Sequence, residues 1–264
     1  MSSTPNWLPT EAIEARRIIE QAFNDSIIGI YLYGSAVEGG LQKDSDVDVF
    51  VTLNRKTTVE ERKTLVNLLM RVSGEIGNSL SMRPLELTIV YVPVTGLWQP
   101  SPSAEFMYGE WLREDFTAGV VPEPFYDPDL MILFKKVRES SVILSGQAAF
   151  DVFETIPAAA INNAIRDSLP NLLSSIRGDE RNVLLTLARM WFTVATGAIA
   201  PKDKASQWAE EQLPVEESEL LTMARMAYLG EVIDVWQGKD DEVDALANTM
   251  KLLITAFCNK KIVL

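Results

Sequence analysis

The chain has 264 residues, 47% apolar and 23% charged, enough for one large domain or two modest ones. It has no histidine and a single cysteine, Cys258, which excludes histidine triads, Cys-His pairs, histidine-based zinc sites and an internal disulfide. Its formal net charge of −13 argues against a nucleic-acid backbone as partner; solubility alone accounts for it, although an acidic surface also favours cationic small molecules.

Residues 11–24 repeat Ile13, Ile18, Ile19, Ala22 and Phe23 at helical spacing. Residues 27–33 are short, β-branched and aromatic and read as a buried strand, and 47–53 read as another. Residues 57–73 form an amphipathic helix, with Thr57 or Thr58 placed to cap it before Glu60 and Glu61. Residues 84–92 give a third strand. Residues 93–128, rich in Pro, Trp and Tyr, read as loop and short helix. From Asp129 onward strand signals are scarce. Helices are expected over 130–140, 157–176, 179–196, 201–212, 216–229 and 243–259. The expected architecture is an α/β domain, a mixed sheet with flanking helices over residues 1–156, followed by an all-α helical bundle over 157–264. The boundary falls near residues 151–158.

No apolar run approaches the roughly 20 residues of a membrane span, and residues 1–7 lack the basic start and apolar core of a secretory signal. With its lone cysteine, the chain is expected in a reducing cytoplasm with no membrane partner. The general base must be a carboxylate first, with Lys, Tyr or Cys as lesser candidates.

The chemistry concentrates early. Tyr31 to Ala36 runs from a strand straight into Gly34-Ser35. Glycine lets backbone approach a ligand, and a serine hydroxyl with free amides at the start of a following helix suits a phosphate. Lys43 to Phe50 then carries Asp46 and Asp48, two apart at the start of a strand, so alternation puts both carboxylates on one face. Two such carboxylates are costly without a cation between them, and hard oxygen ligands select magnesium. Glu86 is a polar intruder among Leu85, Leu87 and Ile89. If its strand lies beside that of Asp46 and Asp48, the three carboxylates converge. The result is two metal ligands and a third group able to take a proton or complete the metal shell. A lone D-x-D is usually a solvated turn; the whole order of strand, Gly-Ser, helix, D-x-D and third-strand carboxylate is far more specific.

That order resembles the polymerase-β-like nucleotidyltransferase superfamily. The stretches Leu32–Leu41, Asp44–Asp48, Tyr108–Arg113, Asp127–Leu130 and Gly178–Arg189 are, further, similar to the aminoglycoside adenylyltransferases that modify streptomycin and spectinomycin. The resemblance implies ATP as substrate and magnesium ions, two in number, held by Asp46, Asp48 and Glu86, with Glu86 also the catalytic base. It implies nucleotide contacts from Ser35, Ser45, Asp129, Arg189, Lys202 and Tyr228, and a drug pocket between domains lined by Trp111 and Asp179. Plainer roles stay open: core for Trp111, a solvated lysine for Lys202, structural positions for Arg189 and Tyr228, and a helix cap for Asp179.

Family members that accept streptomycin carry a tryptophan and an aspartate just upstream of the Gly178–Asn182 motif. Here Pro170 and Ser175 stand at those positions by ungapped counting from Gly178. Neither offers the aromatic face or negative charge that guanidinium groups want. The resemblance therefore implies AMP transfer from ATP to the 9-hydroxyl of spectinomycin, a cationic antibiotic, with a dual streptomycin/spectinomycin enzyme as the alternative; separately, the chain is expected to be a monomer. A nucleotidyltransferase acting on tRNA or protein fits the acidic charge and the long helical half poorly. A non-catalytic nucleotide-binding module has no need of three adjacent carboxylates.

Overall fold

A computed structural model describes residues 7–42, 45–76, 82–93 and 103–259. Lys43 and Asp44 of the D-x-D segment lie outside the described residues. The chain divides into two compact units, Met1–Thr155 and Ile156–Leu264.

The first unit is built on a six-stranded sheet of order β5-β4-β3-β2-β1-β6. Its centre follows the β-branched runs. Strand β1 (Ile27–Tyr33) pairs antiparallel with β2 (Val47–Leu53), and β2 pairs parallel with β3 (Leu85–Tyr91). Parallel neighbours need a crossover, which here contains helix α2 (Val59–Leu69). Thr58 caps α2 in a reciprocal box with Glu61, satisfying two otherwise orphaned amides.

Alternation gives the sheet two different faces. Ile30 and Leu32 of β1, Val47, Val49 and Val51 of β2, and Leu85, Leu87 and Ile89 of β3 form one core. They pack with Ala12, Ala15, Ile18, Ile19 and Phe23 of helix α1 (Thr10–Phe23) and with Leu65 and Leu69 of α2. The opposite face gathers Tyr31, Tyr33, Phe50 and Val90 with Leu130 and Val137 of a helix over Leu130–Ser140.

Two regions differ from the sequence reading. Within residues 93–128, of which 94–102 are not described, the structure forms strands β4 (Ser103–Tyr108) and β5 (Phe125–Tyr126), with a short helix α3 (Arg113–Thr117) between them. Strand β4 pairs with β3 and carries β5 on its outer edge. Its sequence hid it because Glu105 breaks the apolar run, yet that side chain is buried, with Oε2 accepting the Thr57 N–H at 3.1 Å. After helix α4 (Leu130–Ser140), strand β6 (Val142–Gly146) returns to pair with β1, where no strand was expected. The short helix α5 (Ala149–Val152) closes the unit.

The second unit is all-helical among the described residues. Helices α6 (Ala158–Ser174), α7 (Glu180–Thr196), α8 (Lys202–Glu210), α9 (Val215–Tyr228) and α10 (Asp240–Asn259) make it up. Helix α7 is its centre: Val183, Leu184, Leu185, Leu187, Ala188 and Trp191 are buried, and it touches each of the other four. No helix among the described residues is long and apolar enough to cross a membrane.

Candidate active site

The central ladders place three polar side chains in one row. Tyr33 pairs with Asp48 across β1 and β2, and Asp48 pairs with Glu86 across β2 and β3. Strand alternation sets all three on the face opposite the Val47–Val49–Leu87 core, at the C-terminal end of β1 and the N-terminal ends of β2 and β3. Asp46 comes just before β2 and is half-buried.

The row is electrostatically loaded. Burial and then the charges of Asp48 and Asp46 push the Glu86 carboxyl up to about 8, while the Tyr33 hydroxyl and Lys136 pull the other way. Tyr33 Oη donates to Glu86 Oε1 at 3.3 Å. Lys136 comes from α4: its Nζ sits 5.5 Å from the Tyr33 ring centroid and 3.9 Å from Glu38 Oε2. Only 13% of the Lys136 side chain and 14% of that of Glu38 are exposed. Tyr33, Glu38 and Lys136 are not among the site residues the sequence points to. A lysine on an amphipathic helix reads as solvated, and only the tertiary packing shows otherwise.

Gly34 allows the close approach of turn and carboxylate. Its φ is 73°, and a side chain there would overlap Asp48 Oδ2. The expected helix after Gly34-Ser35 is a single 3-10 turn, Gly34–Ala36, in which the Gly34 carbonyl accepts from Val37 and Glu38 at 3.0 and 2.9 Å. Ser35 is half-buried in this turn. Ser45 is buried, and its Oγ accepts the Gln42 N–H at 2.9 Å. The Arg83 guanidinium clamps the same loop, donating to the Gln42 and Ser45 carbonyls at 2.7 and 3.1 Å. Asp129 is exposed at the start of α4, its N–H bonded to Asp127 Oδ1 at 2.9 Å.

The donor set fits a hard divalent cation. Among the described residues no group of three or more Asp, Glu, Cys or His side chains is placed to hold a metal ion by itself. Magnesium rarely asks for one: it keeps waters and takes one or two carboxylates together with substrate phosphates. Burial first, and then the neighbouring Asp48 and Asp46 charges, disfavour an ionised Glu86 here; a cation bound beside the three would oppose both effects.

Trp111 follows β4 on a 3-10 turn, Glu110–Leu112, and is 53% exposed, which removes the core reading. Its neighbour Glu110 is buried and holds the turn: Tyr108 Oη donates to Glu110 Oε1 at 2.6 Å, Arg113 donates to both oxygens, and Ser73 Oγ donates as well. Against the upward push of burial, these bonds hold the Glu110 carboxyl below its usual range.

In the second unit, Lys202 opens α8 and Tyr228 closes α9, and the structure brings them together. Lys202 Nζ lies 5.8 Å from the Tyr228 ring centroid and donates to Asn182 Oδ1 at 3.3 Å. Asn182 Nδ2 in turn donates to Asp179 Oδ1 at 2.7 Å. Asp179 stands at the N-cap of α7 but makes no side-chain cap bond; Asn182 takes its carboxylate instead. Arg189 is half-buried in mid-α7. Asn182 lies within the Gly178–Asn182 motif, but nothing local in the sequence marks it as the bridge between Lys202 and Asp179.

Residues 16–88 match the family described as polymerase beta, nucleotidyltransferase, and residues 151–252 match the aminoglycoside adenylyltransferase C-terminal domain. A spectinomycin 9-adenylyltransferase from Staphylococcus aureus is 47% identical over 252 residues, covering 96% of this chain and 97% of that protein. One from Campylobacter jejuni is 42% identical over 246 residues, covering 93% and 95%. Among solved structures, a spectinomycin adenyltransferase from Enterococcus faecialis, determined with ATP and spectinomycin, has a TM-score of 0.86 at 31% identity. That likeness covers 94% of this chain and 100% of the other.

Proposed function

The chain belongs to the aminoglycoside adenylyltransferase family, and from that premise we propose that it transfers AMP from ATP to the 9-hydroxyl of spectinomycin, giving resistance to the drug. The observation that carries the reading is the row Tyr33–Asp48–Glu86 with Asp46 beside it.

In this reading Glu86 takes the proton from the antibiotic hydroxyl. The freed oxygen attacks the α-phosphorus of ATP as the bond to pyrophosphate breaks, so the products are 9-O-adenylyl-spectinomycin and pyrophosphate. Tyr33 Oη fixes the Glu86 carboxylate from one side. Asp46, Asp48 and Glu86 are the residues that would hold magnesium, which when bound neutralises charge on the triphosphate and on the attacking and leaving oxygens. Ser35, Ser45, Asp129, Arg189, Lys202 and Tyr228 are assigned to the nucleotide, and Trp111 and Asp179 to the antibiotic. Two magnesium ions, a monomeric state and a cytoplasmic site of action belong to the same proposal.

Spectinomycin is favoured over streptomycin by the end of α6. Pro170 is exposed within the helix, and Ser175 is the exposed residue closing it, its Oγ donating to the Leu172 carbonyl at 2.9 Å. A proline ring and an engaged hydroxyl supply neither charge nor an aromatic face to a guanidinium group. Cells expressing the gene are expected to grow at raised spectinomycin and to stay sensitive to streptomycin. Protection against streptomycin alone, or against neither drug, contradicts the proposal.

A further inference from the structure

The turn that carries Trp111 leaves the sheet beside Glu86. The β3–β4 ladder runs through Leu87 opposite Tyr108 and Thr88 opposite Met107. Continued by one residue, the register sets Gly109 across from Glu86. Leu87 and Tyr108 point into the α1–α2 core. Alternation therefore gives position 109 the same face as Glu86.

That position has no side chain, and the indole of Trp111 occupies the space. A Cβ on Gly109 would overlap Trp111 Cη2 and reach within 2.5 Å of Cζ2 and Cζ3. The backbone at Gly109 is extended, with φ −159°, so any residue could adopt it. What glycine supplies here is room for the ring, not conformational freedom.

The turn itself is fastened to the start of β3. Ser73 Oγ accepts the Leu85 N–H at 2.9 Å and donates to Glu110, the residue between Gly109 and Trp111. One buried network thus ties the residue before Glu86 to the residue before Trp111. The half-exposed indole projects from a turn that is bonded to the start of the Glu86 strand.

We propose that Gly109 is a positioning residue: its missing side chain leaves room for the Trp111 indole on the Glu86 face of the sheet, where the ring holds the antibiotic. This rests on the reading of Trp111 as an antibiotic contact. Gly109→Ala adds one methyl group, and because the obstructing atoms are the far end of an exposed side chain, the ring swings aside without disturbing the core.

The test is a double-mutant cycle with Gly109→Ala, Trp111→Ala and both together, in steady-state kinetics with spectinomycin, ATP and magnesium. Thermal melting serves as a fold control. Gly109→Ala is expected to raise KM for spectinomycin about tenfold, as truncating an aromatic anchor does, with KM for ATP within about twofold. In the Trp111→Ala background it is expected to do nothing further. Wild-type spectinomycin KM in Gly109→Ala beside an impaired Trp111→Ala overturns the positioning role alone. Effects that multiply in the double variant do the same. Wild-type kinetics in Trp111→Ala overturn the antibiotic contact and the positioning role with it.

Discussion

Tyr33 and Glu86 stand 53 residues apart in sequence and meet by a hydrogen bond of 3.3 Å that spans the strand carrying Asp48. The bond joins the two outer members of the row and leaves the middle carboxylate between them. Tyr33→Phe keeps the ring, its edge contact with Phe50 and its place under Lys136. It is expected to lower kcat about tenfold with KM for ATP nearly unchanged, and to cost about 1 kcal/mol of stability. Steady-state kinetics and a melting curve read both. An unchanged kcat removes Tyr33 from the positioning of the base.

Glu86→Gln keeps the shape of the side chain and removes the proposed base. Calorimetry is expected to show ATP binding retained, while transfer falls by a factor on the order of 10²–10⁴. Normal turnover in this variant sinks the assignment of Glu86.

The same carboxylate makes stability depend on pH. Burial and the Asp48 and Asp46 charges raise its pKa to about 8 in the folded protein, against about 4.3 in an unfolded chain. The folded state therefore binds the proton more tightly. Its contribution is full below about 4.3 and is lost as pH rises through about 8. In metal-free protein, melting temperature is expected to fall between pH 6 and 9 more steeply than in Glu86→Gln. Magnesium is expected to offset the loss. Parallel curves for the two proteins contradict the coupling.

Gly34→Ala confronts φ 73° and the Asp48 carboxylate at once. The strained backbone costs roughly 1–2 kcal/mol. The displaced Asp48 is expected to raise the magnesium concentration needed for half-maximal activity. A magnesium titration that superimposes on wild type contradicts the close approach of turn and carboxylate.

If Lys202 contacts an ATP phosphate as proposed, Lys202→Ala is expected to raise KM for ATP roughly tenfold, the value of one charge-assisted contact, with KM for spectinomycin changed far less. Asn182→Ala, which frees the lysine from its 3.3 Å bond, is expected to move KM for ATP in the same direction by less. A Lys202 variant with wild-type KM for ATP returns it to the surface.

Much of this site was legible in the chain because its parts announce themselves locally. Gly34-Ser35, Asp46, Asp48 and Glu86 each sit beside a β-branched run whose strand character is clear, and the capping box at Thr58 and Glu61 is a local signature. What stayed hidden depends on pairing. Strand β4 has a buried glutamate in its middle, β5 is two residues long, and a single residue separates the end of α4 from the start of β6. Tyr33 looked like one more aromatic of a buried strand until the β1–β2–β3 register put it in line with Glu86. Gly109 had no reading at all, since its meaning lies in where the Trp111 ring falls.

The most direct measurement is mass spectrometry of spectinomycin and streptomycin, each incubated with the protein, ATP and magnesium. Spectinomycin is expected to gain one AMP with release of pyrophosphate, the addition mapping to the 9-hydroxyl, and streptomycin to remain unmodified. Unmodified spectinomycin, or AMP found on streptomycin instead, would contradict the account.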